Sequence, residues 1–433
     1  MNELISNLLM YGKTAEHGVL AALAALERER RQGRALTAEH RQRAYCAVRE
    51  LLELATEYGF DENLWQNYLS FLLMMDENPF ALTAEKVGAG TGSVNHFVER
   101  DFHIFRVLFH YDFQPLETAL GIDCFSVLTH YHALPKPAMR CYRAVSEKVK
   151  VLSRKLAVAE SDEAFFDIMS DFYRAYGVGK FGLNAAFRLE DDEKKGTLLK
   201  LIRNMDAVQF SDLIGYESQK EELRKNTEAF LRGQRANNVL LYGDSGTGKS
   251  TSIKAVVNEY YKDGLRMIEI YKYQFRRLSE VLAEIKNRNY RFIIYMDDLS
   301  FEENESEYKF LKAVIEGGVE TRPENVLIYA TSNRRHLIRE NWKDRDDMEQ
   351  SADIHRSDTM EEKLSLANRF GLSIGYYKPA RQVYHEIVLA LAERHGIVLA
   401  QEELLRRADQ FELRHGGVSG RTAQQFINAE LGS

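Results

Sequence analysis

Residues 243–250 read GDSGTGKS, and this octapeptide decides the fold of the chain around it. It matches the phosphate-loop pattern GxxxxGK[ST] in full. Gly243, Gly246 and Gly248 let backbone N–H groups turn inward around phosphate oxygens, which a Cβ would obstruct. Asp244, Ser245 and Thr247 complete the cradle. Lys249 is expected to reach the β- and γ-phosphates of a nucleotide, and Ser250 to hold Mg²⁺, with Thr251 beside it. An apolar run, NVLLY, leads into the loop, and KAVVNEYY follows it. A strand feeding a helix in this way adds the positive helix N-terminus to the cradle.

Outward from the loop, apolar runs of strand length alternate with helical patterns. The candidate strands are 239–242, 267–271, 292–296, 326–330 and 372–376. That alternation predicts an α/β core with a five-stranded parallel sheet covered on both faces. The run FIIYMDD (292–298) delivers two carboxylates at a strand end, where a magnesium site beside a phosphate loop requires an acid. Asp297 is the expected metal ligand. Asp298 is a candidate for polarising the attacking water, although aspartate is one methylene shorter than the more usual glutamate; Glu302 competes for that role. The strand NVLIYATSN (325–333) ends in Thr331, Ser332 and Asn333, a polar cluster at the position that lines the ligand crevice of a parallel sheet.

The front half reads as helical throughout. Apolar and aromatic residues recur at helical spacing in 18–34, 45–58, 63–75, 105–111, 138–158 and 165–176, which predicts core stripes. The run ERERRQGR (27–34) is the best local candidate for a polyanion contact, although it also reads as the solvated end of a helix. VGAGTGS (87–93) has no apolar strand leading into it and reads as a loop. Near residue 190 the charged LEDDEKK (189–195) reads as a linker. Domains are therefore expected at 1–190 (helical), 191–378 (α/β core) and 379–433 (helical).

The 433 residues are 45% hydrophobic and 28% charged, which excludes a disordered or low-complexity chain. With 58 basic against 65 acidic residues the net charge is −7, so an obligate nucleic-acid binder is not favoured. Three cysteines form no disulfide framework. No apolar run reaches the roughly 20 residues of a membrane span, and no secretory signal opens the chain. A cytoplasmic protein without a membrane partner is expected.

From the phosphate loop to the tip of the 325–333 strand, the sequence resembles the AAA+ ATPases. The resemblance implies ATP and Mg²⁺ as ligands, ATP hydrolysis as the activity, and Asn333 as the polar residue that senses the γ-phosphate. FSDLIGYE (210–217) resembles the segment that contacts adenine, so Leu213, Ile214, Gly215 and Tyr216 are implied there. NRFGL (368–372) resembles the stretch carrying an arginine finger, which makes Arg369 the residue reaching a neighbour's nucleotide and implies a homo-oligomer. Arg334 and Arg335 are secondary finger candidates. GVSGR (417–421) resembles the second sensor of a helical lid, with Arg421 on the γ-phosphate. Some features are similar to the initiator and helicase-loader branch. The chain ends at Ser433, after the lid, so the DNA-binding domain that initiators append is expected to be absent. DDLSFE, YATSNRRHL and EEKLSLANRFGL are similar to an uncharacterised bacterial AAA+ family, a domain of unknown function. The helical front half is then an interaction module for an unidentified protein partner. A slow nucleotide-dependent switch or loader on a nucleic-acid machine, or a non-catalytic ATP-binding scaffold, are the other readings. The charged stretch 339–358, beside the sensor strand, is expected to be a solvated loop or a partner-contacting one.

Overall fold

The computed structural model describes residues 1–433 except 89, 134–142, 191–198, 203–204, 302–304, 306, 317–322, 336, 338–365 and 433. Glu302 and the charged stretch 339–358 lie outside the described residues, as does most of the expected linker. The chain divides into two compact units, Met1–Asn184 and Ala185–Ser433.

The first unit is built from helices, including Gly18–Arg31, Ala38–Tyr58, Leu64–Met75, Ser93–Phe109 and Asp162–Tyr176. Asn63, Asn78 and Ser161 begin helices by accepting from backbone amides that have no partner inside the helix. The aromatic stripes pack inward: Trp65, Phe102, Phe105, Phe165 and Tyr173 are all buried. Buried Asp101 accepts from the amides of Leu9, Met10 and Tyr11, tying the N-terminal segment to the helix that carries it. In the basic run, Glu27 is buried and pairs with both Arg30 and Arg31, while Glu29 pairs with Arg34. Hydrogen bonds from Arg30 hold the Glu27 carboxyl down at about 2. Much of the charge that suggested a polyanion contact is therefore met within the run itself.

Among the described residues the second unit carries a sheet of seven strands, not five. They are β1 (Ala186–Leu189), β2 (Leu199–Leu201), β3 (Val239–Gly243), β4 (Leu265–Glu269), β5 (Arg291–Met296), β6 (Val326–Ser332) and β7 (Leu372–Tyr376). Their order is β2-β1-β4-β5-β6-β3-β7, parallel except for β2, which runs antiparallel to β1. The two additional strands flank the charged stretch, and β2 has only three residues, too few to show alternation. Because β1 hydrogen-bonds to β4, the boundary between the units falls after Asn184 rather than at 190. Strand β4 begins two residues earlier than expected, directly after the Gly264 turn.

The order of the strands positions the site. β6 lies between the phosphate-loop strand β3 and the acid-bearing strand β5, so the tips of three adjacent strands converge. Helix Lys249–Tyr260 covers one face, where Ile253, Val256 and Val257 pack with Val239, Leu241, Ile293, Tyr295, Leu327 and Tyr329. Beyond β7, helices Arg381–Arg394, Gln401–Arg414 and Gly420–Leu431 form a satellite core around Tyr384, Val388, Ala408, Ala423 and Phe426.

Candidate functional site

β3 runs into a loop whose shape two glycines impose. Gly243 has φ +126°, and a Cβ there would lie 2.0 Å from the Tyr376 carbonyl oxygen. Gly248, at φ +94°, would place a Cβ 2.5 Å from Leu213 Cδ2. The helix begins immediately after, at Lys249.

Lys249 Nζ folds back over its own loop. It donates to the carbonyls of Gly243 (2.9 Å) and Asp244 (2.7 Å) and to Asn333 Oδ1 (3.1 Å). Burial lowers its pKa against the opposing pull of Asp244, Asp298 and Asp297. Asn333 Nδ2 in turn donates to Asp298 Oδ1 at 2.7 Å. Lys249, Asn333 and Asp298 thus form one hydrogen-bonded chain linking the phosphate loop with the ends of β6 and β5.

Beside that chain lies an oxygen-rich corner. Asp297 Oδ1 accepts from Ser250 Oγ (2.7 Å) and from Thr331 Oγ1 (2.6 Å). The Asp298 amide donates to Thr331 Oγ1 at 2.9 Å, and Asp298 takes φ +49°, a left-handed conformation open to aspartate. The cleft walls strip water from Asp297 and work against its ionisation. The hydroxyls of Thr331, Tyr295 and Ser250 and the Asp298 amide outweigh this and hold the carboxyl below its ordinary value. The Tyr295 hydroxyl is near enough to act on that charge but falls outside hydrogen-bond geometry. A hydroxyl and a carboxylate are hard oxygen donors of the kind Mg²⁺ takes while keeping several waters, so the corner fits that ion.

These groups line a cleft of about 710 Å³, within the range of small-molecule sites. Residues 245–251 line it, with Asp297, Asp298, Thr331 and Asn333. Leu213, Ile214 and Tyr216 lie along it with Val208. Gly215 borders this segment, where a Cβ would lie 3.1 Å from Val383 of the helical trio. Arg421 closes the cleft from that trio, its amide on the Gly246 carbonyl and its guanidinium 3.3 Å from Ser245 Oγ. Asp244 Oδ2 accepts from the Lys378 amide at 2.8 Å, tying the loop to the chain that enters the trio.

Arg369 lies elsewhere. It precedes β7, whose start pairs with Val239 and whose end pairs with Gly243. The length of that strand, at about 3.3 Å per residue, separates it from the phosphate loop, and β7 is an edge of the sheet. Arg335 stands over the Tyr242 ring at 5.8 Å.

A family model matches residues 183–433, and its description is "Protein of unknown function (DUF815)". The chain belongs to the DUF815 family. The matched region contains the phosphate loop and both acids of the site above. Two curated relatives are similar over short stretches. The replication factor C large subunit of Staphylothermus marinus is 32% identical over 72 residues, 16% of either chain. That of Methanococcus vannielii is 37% identical over 57 residues, 13% of this chain and 12% of the relative. The DUF815 chain thus spans less than a fifth of the length of these relatives. Among solved structures, the FIGL-1 AAA domain in complex with ADP has 19% identity and TM-score 0.35, covering 52% of this chain and 73% of that one. RuvB of Thermotoga maritima, a Holliday junction branch migration motor, has 13% identity and TM-score 0.32, with 51% and 71% covered. Among the described residues no helix is long and apolar enough to cross a membrane.

Several residues of the DUF815 cleft were not singled out from sequence. Ile387, Leu391 and Arg394 line it from the first helix of the trio, and Arg394 pairs with Asp212 at 2.7 Å. Their spacing, i, i+4 and i+7, marks one helix face but not what that face meets. The sequence marks Thr331 only as one of a polar cluster at a strand end, whereas its hydroxyl clasps both acids.

Proposed function

We propose that this DUF815 protein binds and hydrolyses Mg-ATP, and uses the cycle to remodel or assemble a macromolecular partner engaged by its helical unit. The supporting observation is the hydrogen-bonded chain Lys249–Asn333–Asp298 alongside the Ser250–Asp297–Thr331 corner, all facing one cleft. Lys249, resting on two carbonyls and an amide oxygen, exchanges these acceptors for β- and γ-phosphate oxygens. Ser250 and Asp297 would hold Mg²⁺, which neutralises charge on the phosphates when bound. Asn333 orients Asp298, and Asp298 orients the attacking water; Glu302 remains the competing candidate. Leu213, Ile214, Gly215 and Tyr216, with Ile387 and Leu391, enclose the base. Arg421 contacts the γ-phosphate from a helical lid, and Arg369 serves the site of a neighbouring subunit.

Turnover of ATP by the full chain tests this reading. Lys249→Ala should reduce turnover to background, because Lys249 is the cation that the loop itself supplies. Equal turnover in variant and wild type would overturn the reading. A slow switch or loader is a second reading, favoured by the short Asp298 carboxylate being engaged by Asn333. Slow turnover together with salt-sensitive binding of single-stranded DNA would support it. ATP binding without turnover would leave a scaffold.

A further inference from the structure

Three tyrosines, Tyr295, Tyr329 and Tyr376, share the core beneath helix Lys249–Tyr260, each at most 1% exposed. Two have satisfied hydroxyls. Tyr329 meets Thr227 at 2.8 Å and Asn226 at 3.2 Å, and Tyr376 donates to Ser252 Oγ at 3.0 Å. The Tyr295 hydroxyl has no hydrogen-bond partner among the described residues. A buried hydroxyl in this condition is unusual, and for packing alone phenylalanine would serve better.

Its position identifies what it awaits. Tyr295 precedes Asp297 by two residues as the chain leaves β5, so the strand's alternation directs both to the same face. Ser250 lies in the first turn of the helix over that face and donates to Asp297. The two hydroxyls that hydrogen-bond to Asp297, from Ser250 and Thr331, converge on Oδ1, which pins one oxygen and leaves the plane of the carboxylate to be set by another contact. We propose that Tyr295 is a positioning residue of the cation site, its hydroxyl donating to the Ser250–Asp297 pair when nucleotide and cation bind. Outer donors of this kind orient ligating carboxylates and strengthen metal affinity. The inference rests on Ser250 and Asp297 being the Mg²⁺ ligands.

The test compares full-length wild type with Tyr295→Phe, using Mn²⁺ as a spectroscopically visible substitute and ADP as the nucleotide. Mn²⁺ affinity in the presence of ADP is measured by electron paramagnetic resonance, ADP affinity in excess chelator by calorimetry, and the melting temperature without ligand. Tyr295→Phe should weaken Mn²⁺ binding about tenfold or more, the scale of outer-shell substitutions. ADP affinity in chelator and the melting temperature should stay at the wild-type values. Tyr329→Phe should do the reverse, lowering the melting temperature and leaving Mn²⁺ affinity intact. Wild-type Mn²⁺ affinity in Tyr295→Phe would overturn the proposal. So would a loss that only parallels losses in metal-free ADP binding and melting temperature. If wild type itself bound neither ADP nor Mn²⁺, the Mg-ATP reading would fail, and this inference with it.

Discussion

Thr331 does the most with the least chemistry. One hydroxyl accepts from the Asp298 amide and donates to Asp297, so it sets the left-handed turn between the acids and the direction of the first. Thr331→Val keeps the shape and strand propensity but removes both bonds. We expect a stability loss of about 1–3 kcal/mol and a Mg²⁺ requirement for turnover raised about tenfold, read from thermal melting and a Mg²⁺ titration. An unchanged Mg²⁺ requirement would show that Asp297 needs no such clasp. The depressed pKa of Asp297 gives the sign of the pH effect. Its charge persists above the ordinary carboxyl value and is lost only as pH falls through the depressed one. At this scale the acids and the lysine were legible because the motif prescribes them. Tyr295 was not, since a lone hydroxyl in an apolar strand looks like packing until its neighbours are known, and Thr331 was legible only as one of a polar strand end, not as the clasp of both acids.

At the scale of elements, the phosphate loop works because β3 and β7 are in register, with Gly243 beside Tyr376. Two glycine substitutions probe different parts of that arrangement. Gly243→Ala sets a Cβ against backbone that cannot move aside, whereas Gly248→Ala meets the end of the flexible Leu213 side chain. Both impose a left-handed backbone on alanine, a strain of roughly 1–2 kcal/mol. Gly243→Ala should therefore be the more destabilising in chemical denaturation, and Leu213→Ala should partly rescue nucleotide binding in Gly248→Ala alone. Equal losses without rescue would mean that backbone strain, not contact, governs the loop. The five strands β3 to β7 were legible from their apolar runs bounded by turns. β1 and β2 were not, because strands of four and three residues beside a charged stretch are too short to show a pattern.

Over the whole molecule, the proposed arginine finger sets the demand. Arg369 stands at the start of an edge strand, a strand's length from its own phosphate loop. A role in catalysis therefore requires another copy of the chain. Arg369→Ala and Lys249→Ala should each be inactive alone. Mixed in equal amounts, they should recover about one active site in four, since a heterologous interface pairs an intact loop with an intact finger at that frequency. No recovery, in a mixture shown to co-assemble, would remove the trans role. The helical unit was legible as helices with aromatic cores, and its basic run as the end of a helix. Only the fold revealed that Glu27 is turned inward beneath Arg30 and Arg31.

The sequence by itself determined the phosphate loop, the α/β alternation and the acid at the tip of β5. Each is a local requirement: a glycine where a Cβ would collide, an apolar run where a strand is buried, a carboxylate where a strand ends. Tertiary structure alone decided that β6 stands between loop and acid, that Thr331 clasps Asp297, and that Arg394 meets Asp212. Those contacts join residues from about 30 to nearly 200 positions apart along the chain, and strand order and packing, rather than any local preference, bring them together.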